Sequence, residues 1–462
     1  MVRLFKHYVP HSVLLLGLVD LVALLVSGEL GWAIRARQVG VDLDPALSRL
    51  PQLVTFAAAL QVALVAVGAY AAASFRSLRF AAARLGVAVS LGVIGLSLVF
   101  FLVPAVSFWR SNLLYAMILA IALLIAARAA LGRTLGSDAF KRRVVILGAG
   151  LRARRVVELS RTPGTNFVVA GVVAMGEALP VVAGAVPRDA IDNLADHIER
   201  LNAAEVVLAL GERRNALPVQ DLLRVKVTGV QVVDLSTFLE RETGRIDLAS
   251  VNPSSLIFSD GFASGRMLSG AFKRAFDIAA GLTLLLLTLP VILLTALAIK
   301  LESKGPAFYR QRRVGLFSQP FDIIKLRSMR QDAEAGGRAV WAAEDDPRVT
   351  RVGRFIRKIR IDELPQTWSV LKGEMSFVGP RPERPQFVSD LERHLPLYAE
   401  RHMVKPGITG WAQINYPYGA SVEDARHKLE YDLYYAKNYS PFLDLLIMLQ
   451  TLRVVLWPEG AR

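Results

Sequence analysis

Residues 278–299 read IAAGLTLLLLTLPVILLTALAI, 22 positions without a charge. As a helix this run would measure ~33 Å, enough to cross the ~30 Å hydrocarbon core of a bilayer. Its flanks argue otherwise. Arg266, Lys273 and Arg274 precede it, and Lys300, Lys304, Arg310, Arg312 and Arg313 follow it. Basic residues collect on the cytoplasmic side of a membrane, so both ends belong on one face. Pro290, near the middle, removes one helical hydrogen bond and crowds the preceding turn. A helix broken there can enter one leaflet and return, provided side chains satisfy the freed carbonyls; Thr288 is the candidate. A kinked but complete crossing is the other reading, and composition alone does not separate the two.

Toward the N-terminus, four more apolar stretches fill the first third of the chain: Val13–Leu30, Leu53–Ala73, Leu85–Val106 and Leu113–Leu131. Each approaches the ~20 residues a membrane-spanning helix needs. The first is too long, and too poorly followed by small residues, to be a cleaved secretory signal. Arg3 and Lys6 precede the first, Arg76, Arg79 and Arg84 separate the second from the third, and Arg133, Lys141, Arg142 and Arg143 follow the fourth. Against these stand Arg35, Arg37 and Arg49 after the first and Arg110 after the third. The balance predicts four crossings within residues 1–135, with the N-terminus and everything after residue 132 in the cytoplasm. Asp20 falls inside the first crossing and Arg128 near the end of the fourth. Intramembrane charges can mark a transport path. Here Asp20 is expected to be a helix-packing or snorkelling group, with no partner at its depth.

The 462-residue chain is 53% hydrophobic, with a mean hydropathy of +0.39, a net charge of +15 and a pI near 10.1. The apolar excess sits in blocks, as in a membrane protein. Such basicity suits nucleic acid, anionic lipid or phosphate-rich ligands. No nucleic-acid-binding motif is present, and the basic residues flank or follow the apolar blocks. A lipid surface and a phosphorylated ligand are therefore expected, and nucleic acid is not. Without cysteine, disulfides, thiolate zinc sites and cysteine nucleophiles are excluded.

From Arg143 the pattern changes. VVILGAG (Val144–Gly150), FVVAGVVA (Phe167–Ala174), EVVLAL (Glu205–Leu210) and VQVVDL (Val230–Leu235) are short β-branched runs separated by polar helical stretches. They predict a parallel, Rossmann-like α/β module over residues 142–250. Gly148 and Gly150 fit the loose form of a dinucleotide loop, with Ala153 in the third glycine's place. No acid ends the second strand to hold a ribose; the chain there reads Val173-Ala174-Met175. A module without redox role and a regulatory nucleotide site both remain open.

Beyond the 278–299 run, FDIIKLRSM (Phe321–Met329) alternates as a strand with Lys325 and Arg327 on one face. Val352, Phe355, Ile356 and Ile359 then recur at helical spacing, with Arg354, Arg357, Lys358 and Arg360 between them. This is a basic amphipathic helix suited to a headgroup layer, or one that packs on the domain core. Asp362 and Glu363 follow directly. Neighbouring residues diverge on any regular backbone, so they do not share one proton as an acid dyad does. They can approach one phosphate–metal centre from two sides, one attacking phosphorus and the other holding a hard cation such as Mg²⁺. The surrounding arginines are expected to keep both ionised.

From Lys273 to about Trp457 the sequence resembles the bacterial sugar transferases that are monotopic phosphoglycosyl transferases. The resemblance is carried by KRAFD (Lys273–Asp277), QRRVG (Gln311–Gly315), KLRSM (Lys325–Met329), Asp346-Pro347-Arg348, DELPQ (Asp362–Gln366), GEMSFVGPRP (Gly373–Pro382) and PGITG (Pro406–Gly410) with Gln413. The four crossings and α/β module resemble the family's long forms. The family implies a re-entrant membrane helix at about 277–301 and a catalytic domain over 266–462. It implies transfer of a sugar-1-phosphate from a UDP-sugar to polyprenyl phosphate, with Asp362 as nucleophile and Glu363 as Mg²⁺ ligand. It also implies phosphate or substrate contacts at Arg381, with Lys325, Arg327 and Arg313 as helpers, and a further acid at Asp432. Ser328, Ser369 and Leu289 depart from the usual Thr, Asn and Ser; the last removes a hydroxyl beside Pro290. By parity, a fifth crossing would put residues 300–462 outside, away from cytoplasmic nucleotides, so the re-entrant form is expected. The product would begin an exopolysaccharide or other surface glycan at the bacterial inner membrane, and the long N-terminal region offers a surface for a homodimer. A membrane-bound sugar-nucleotide dehydratase would need a second glycine fingerprint and a Tyr-x-x-x-Lys pair, and Tyr434 with Lys437 has the wrong spacing. A non-catalytic assembly scaffold is the other alternative.

Overall fold

The computed structural model describes residues 2–4, 7–42, 45–70, 78–135, 141–162, 164–176, 180–211, 217–251, 266–330, 348–417, 419 and 421–456. Lys6, Arg76, the Asp346-Pro347 pair and Trp457 lie outside them. The chain divides after Val251 into two compact units.

The first unit opens with four apolar helices, α1 (His11–Val39), α2 (Leu50–Val67), α3 (Leu78–Leu102) and α4 (Arg110–Leu135). They bury Leu24, Phe56, Leu60, Leu96 and Leu124 between them and leave Leu18, Val22, Ile94, Leu98 and Ile118 exposed outside. Together with one helix of the second unit, five helices among the described residues are long and apolar enough to cross a membrane by length and composition. The expectation for Asp20 is corrected here. Arg128 donates to both of its carboxylate oxygens at 2.7 Å, and Tyr70 Oη donates to Oδ2, also at 2.7 Å. Gln61 Nε2 donates in turn to Tyr70 Oη at 2.9 Å. A buried acid in an apolar bundle needs such a partner.

After the helices, five parallel strands form one sheet: β1 (Arg142–Leu147), β2 (Phe167–Ala174), β3 (Val186–Pro187), β4 (Glu205–Leu208) and β5 (Gln231–Asp234), in the order β3-β2-β1-β4-β5. Val144 and Ile146 pack on one face with Ala153, Val156 and Phe238; Val145 and Leu147 pack on the other with Ile198, Leu222 and Val225. Burial on both faces explains the unbroken VVIL run. The order is that of a doubly wound sheet, and Gly148 sits at its switch point. Its φ of +114° and the carbonyl of Ala209, 2.8 Å from where a Cβ would stand, both require glycine. Arg152 reaches across this crevice to the carbonyls of Leu210 and Gly211.

The second unit begins with α5 (Arg266–Glu302), a single 37-residue helix containing Pro290. No interruption divides it at the proline, and Thr288 does not serve the carbonyl of Leu286 that Pro290 leaves unpaired. Its hydroxyl donates to Leu284 O at 2.7 Å, within its own turn. Near the start of α5, Lys273 donates to Val378 O (3.0 Å) and to Asp444 Oδ2 (2.6 Å), Arg274 to Val370 O and Leu371 O, and Asp277 accepts from Ser376 Oγ and Phe377 N. Near its end, Ile292 and Ile299 pack with Ala307, Leu326 and Ile356, and Glu302 accepts from the amides of Arg351 and Val352. Leu282, Leu286, Leu293, Leu294 and Leu297 remain exposed along the helix. An antiparallel hairpin, β6 (Phe308–Val314) with β7 (Pro320–Leu326), follows.

Candidate active site

The helix α6 (Arg351–Lys358) starts at Thr350, whose Oγ1 accepts from Gly353 N at 2.9 Å. Ile356 turns inward to the α5 cluster, with Val352 partly buried beside it, while Phe355 and Ile359 are exposed. The amphipathic segment thus divides its apolar residues between the core and the surface. Arg360 then adopts φ +60°, a conformation uncommon for a non-glycine residue. It turns the chain into a 3₁₀ helix, Ile361–Gln366, that carries Asp362 and Glu363. Ile361 and Leu364 pack on the α5 cluster from either side of the two acids and hold them in place.

Glu363 Oε1 accepts from Lys325 Nζ of β7 and from Arg381 Nη2, each at 2.9 Å. Asp362 is 8% exposed, and its Oδ1 is buried without a hydrogen-bond partner among the described residues. Burial, reinforced by the Glu363 charge, raises the Asp362 pKa above its ordinary value; Lys325, Arg360 and Arg357 oppose the rise without reversing it. Burial pushes Glu363 the same way, but Arg381 and Lys325 outweigh it and hold that carboxyl well below the usual range. The arginines of α6 therefore do not act on both acids alike. Neighbouring carboxylates driven apart in this way are suited to different tasks.

Arg381 reaches Glu363 from the turn Gly379–Arg384. Pro380 and Pro382 offer no N–H, so the turn is pinned largely by its carbonyls. Val378 O, where β8 (Ser376–Val378) ends, accepts from Lys273 Nζ and Tyr435 Oη at 3.0 Å each. Pro380 O accepts from Gly407 N of β9 (Gly407–Thr409) at 2.9 Å, and Glu383 O from Val314 N at 3.0 Å. Arg381 O accepts from Arg401 Nη2 and Pro382 O from Arg313 Nη1, both at 3.0 Å. A Cβ on Gly379 would lie 2.2 Å from Lys405 O, so the close approach of the chain at the end of the parallel β8–β9 pair admits only glycine.

Of the residues singled out in the sequence, Lys325 and Arg381 meet at Glu363. Arg313 holds the turn and pairs with Gln311. Arg327 is turned elsewhere: its guanidinium donates to Ser303 O, Ser303 Oγ and Lys304 O, closing the end of α5. Strand alternation put it on the face of Lys325, but the strand ends at Leu326, one residue before it. Asp432 is buried and accepts from Arg401 Nε (3.0 Å) and Nη2 (2.6 Å). Beside these groups lies a cleft of about 220 Å³ lined by Arg313, Arg348, Arg381, Arg384, Arg401 and Lys428 against the acids Glu383 and Asp432. Arg381 belongs both to this cleft and to the carboxylate pair. Positive charge dominates, as a polyanionic ligand would require.

Residues 268–458 match the family model described as bacterial sugar transferase. A UDP-glucose:undecaprenyl-phosphate glucose-1-phosphate transferase of Caulobacter vibrioides is 44% identical over 191 residues, 41% of this chain and 71% of that protein. One of the same name from Xanthomonas campestris pv. campestris is 32% identical over 342 residues, 70% of this chain and 68% of that protein. The chain belongs to the bacterial sugar transferase family. A UDP-N-acetylgalactosamine-undecaprenyl-phosphate N-acetylgalactosaminephosphotransferase of Aeromonas hydrophila is 44% identical over 241 residues, and the match spans 56% of it, a little over half its length.

In this member of the family, sequence reading missed Arg401 and the Lys273–Tyr435–Asp444 network. Tyr435 Oη donates to Asp444 Oδ1 at 2.7 Å, so the network joins α7 (Val422–Asn438) and α8 (Pro441–Leu456) to the first turns of α5. In the sequence Lys273 stands out as a basic flank and as the first residue of KRAFD. The signal that it also has a structural task was its place beside Arg274 and Asp277, three charges directly before the apolar run 278–299.

Proposed function

We propose that this protein transfers a sugar-1-phosphate from a UDP-sugar to a membrane polyprenyl phosphate (undecaprenyl phosphate in the bacterial cell), in two steps. An Asp362 carboxylate oxygen attacks the phosphorus bearing the sugar; the phosphoanhydride bond breaks and UMP departs with its electron pair. An oxygen of the polyprenyl phosphate then attacks the same phosphorus. The bond to Asp362 breaks, the carboxylate is restored, and the product is a polyprenyl-diphosphosugar. Splitting the transfer lets the soluble donor leave before the lipid enters. The observation that carries this reading is the contrast between Asp362, buried with an unpartnered oxygen, and Glu363, held by two cations on one oxygen. A poorly solvated, raised-pKa carboxylate is the stronger nucleophile of the two.

Among the described residues no three acidic or histidine side chains gather into a metal cage. Mg²⁺ needs none, because it commonly takes one or two carboxylates and completes its shell with substrate phosphates and water. Both cation contacts of Glu363 fall on Oε1, which leaves Oε2 as a carboxylate donor that fits a hard cation. Bound there by Glu363, Mg²⁺ would neutralise charge on the phosphoryl oxygens. Arg381 donates to those oxygens, and the basic cleft beside it receives the donor's diphosphate.

The membrane part of the proposal is four crossings by α1–α4 and a re-entrant α5, with the transferase unit on the cytoplasmic face of the inner membrane. Contacts at Lys273, Arg274, Asp277, Ile292, Ile299 and Glu302 with one and the same unit support it. A helix crossing a bilayer core puts its ends ~30 Å apart on opposite sides, where one small domain could not hold both. The product would open assembly of an exopolysaccharide or other surface glycan, with the protein as a homodimer through its N-terminal region. The test is a panel of UDP-sugars offered to the purified protein with Mg²⁺ and polyprenyl phosphate. At least one should yield UMP and a lipid-linked diphosphosugar; none doing so would end the proposal.

A further inference from the structure

The side chain of Arg381 is long and 36% exposed, yet it must meet Glu363 at 2.9 Å. Where that side chain starts is set by the main chain of residue 381. The Arg381 carbonyl is held by the guanidinium of Arg401, which is 5% exposed and shares its remaining donors between Asp432 Oδ2 and Tyr398 Oη. Arg401 also lies over the Tyr398 ring at 5.1 Å. Asp432, 2% exposed, makes its two charge-assisted bonds to Arg401 through a single oxygen. A planar fork held on three sides has no freedom left to follow a drifting carbonyl.

We infer that Asp432 is a positioning residue for the transfer reaction, acting through Arg401 to fix the main chain from which Arg381 reaches Glu363. This rests on the activity proposed above. It differs from a direct contact between Asp432 and the donor, which the residue's place in the cleft wall would also allow. A misplacement of ~1 Å in a group that orients a reacting phosphate is worth ~10²-fold in rate, and removing a supporting partner one step back commonly lowers activity ~10–100-fold.

The test compares the full-length protein in nanodiscs with Arg401→Lys, Asp432→Asn and the double variant. Arg401→Lys keeps a charge against Asp432, but one ammonium cannot span Asp432, Tyr398 and the Arg381 carbonyl together. Each single change should lower kcat for UMP release ~10–100-fold while donor KM stays within about threefold. The double variant should fall within about threefold of the weaker single, because one line of contacts is broken once. Hydrogen–deuterium exchange over residues 376–384 should quicken in all three. The inference is overturned if the two effects multiply, if Asp432→Asn raises donor KM tenfold or more with kcat kept at saturation, or if exchange over 376–384 is unchanged. Should Asp432→Asn fail to fold, Arg401→Lys alone decides by the same readings. Absence of UMP release from the native protein would defeat the proposed activity, and the exchange comparison would still decide whether the clamp exists.

Discussion

Replacing Asp362 by Asn should abolish turnover and, at the same time, make the protein more stable at neutral pH. The carboxylate is buried with one oxygen unpartnered, and Glu363 adds a second negative charge at the next residue. A buried polar group left without its bond costs about 1–3 kcal/mol, and more when charged. The neutral amide removes the charge while retaining an imperfectly bonded polar group, so a net gain of about 1–2 kcal/mol is reasonable. For a unit of this size that corresponds to about 2–8 °C in Tm. The sign with pH follows from the raised pKa. Above that pKa the folded native protein carries the penalised charge. As pH falls through it, the native protein takes up a proton that its unfolded chain does not yet bind, and it regains stability. The advantage of Asp362→Asn should therefore be larger at pH 7.5 than at pH 5. Thermal melts of the two proteins in the same detergent at pH 7.5 and pH 5 measure both. A variant that melts at or below the native protein at pH 7.5, or an advantage that grows at pH 5, would refute the reasoning.

Lys325→Met removes one of the two bonds to Glu363 Oε1, a charge-assisted contact worth about 1.5–3 kcal/mol. It should lower kcat/KM ~10–150-fold and, because Lys325 also restrains the Asp362 pKa, move the acid limb of the pH–rate profile upward; an unmoved limb contradicts this. Asp20→Asn leaves Arg128 unpaired inside the helical bundle and should destabilise it by about 3–5 kcal/mol in denaturant titrations, whereas Asp20→Leu with Arg128→Met together should come close to neutral. In this cysteine-free chain, single cysteines at Gly270 and Lys304 should both react with a membrane-impermeant reagent from the cytoplasmic side alone. Labelling of one from each side would mean that α5 crosses.

The elements legible in the sequence were those whose signal is local. Apolar runs of membrane length, β-branched runs between polar helices and the Asp362-Glu363 pair are each visible within a few residues, and the structure has apolar helices, a parallel sheet and an acid pair with Asp362 buried there. Pairings over long separations were not legible. Asp20 and Arg128 stand 108 residues apart, and no periodicity in either helix announces that they meet. Arg327 was misread because alternation was extended one residue past the strand's end, where the side chain turns to the α5 carbonyls instead. Arg401, between Glu400 and His402, stands in no motif that marks it. Its task became visible only when the two prolines of the Gly379–Arg384 turn were seen to leave that turn dependent on outside donors.

In the proposed reaction phosphorus is bonded to Asp362 between donor and acceptor. The most direct test incubates the purified protein with a UDP-sugar it accepts, without polyprenyl phosphate, and follows UMP release together with the mass of the peptide containing residue 362. A burst approaching one equivalent of UMP, a sugar-phosphate mass gain on that peptide, and loss of the gain when lipid acceptor is added are the predicted results. UMP that appears only when both substrates are present, with no adduct at any time, would contradict it.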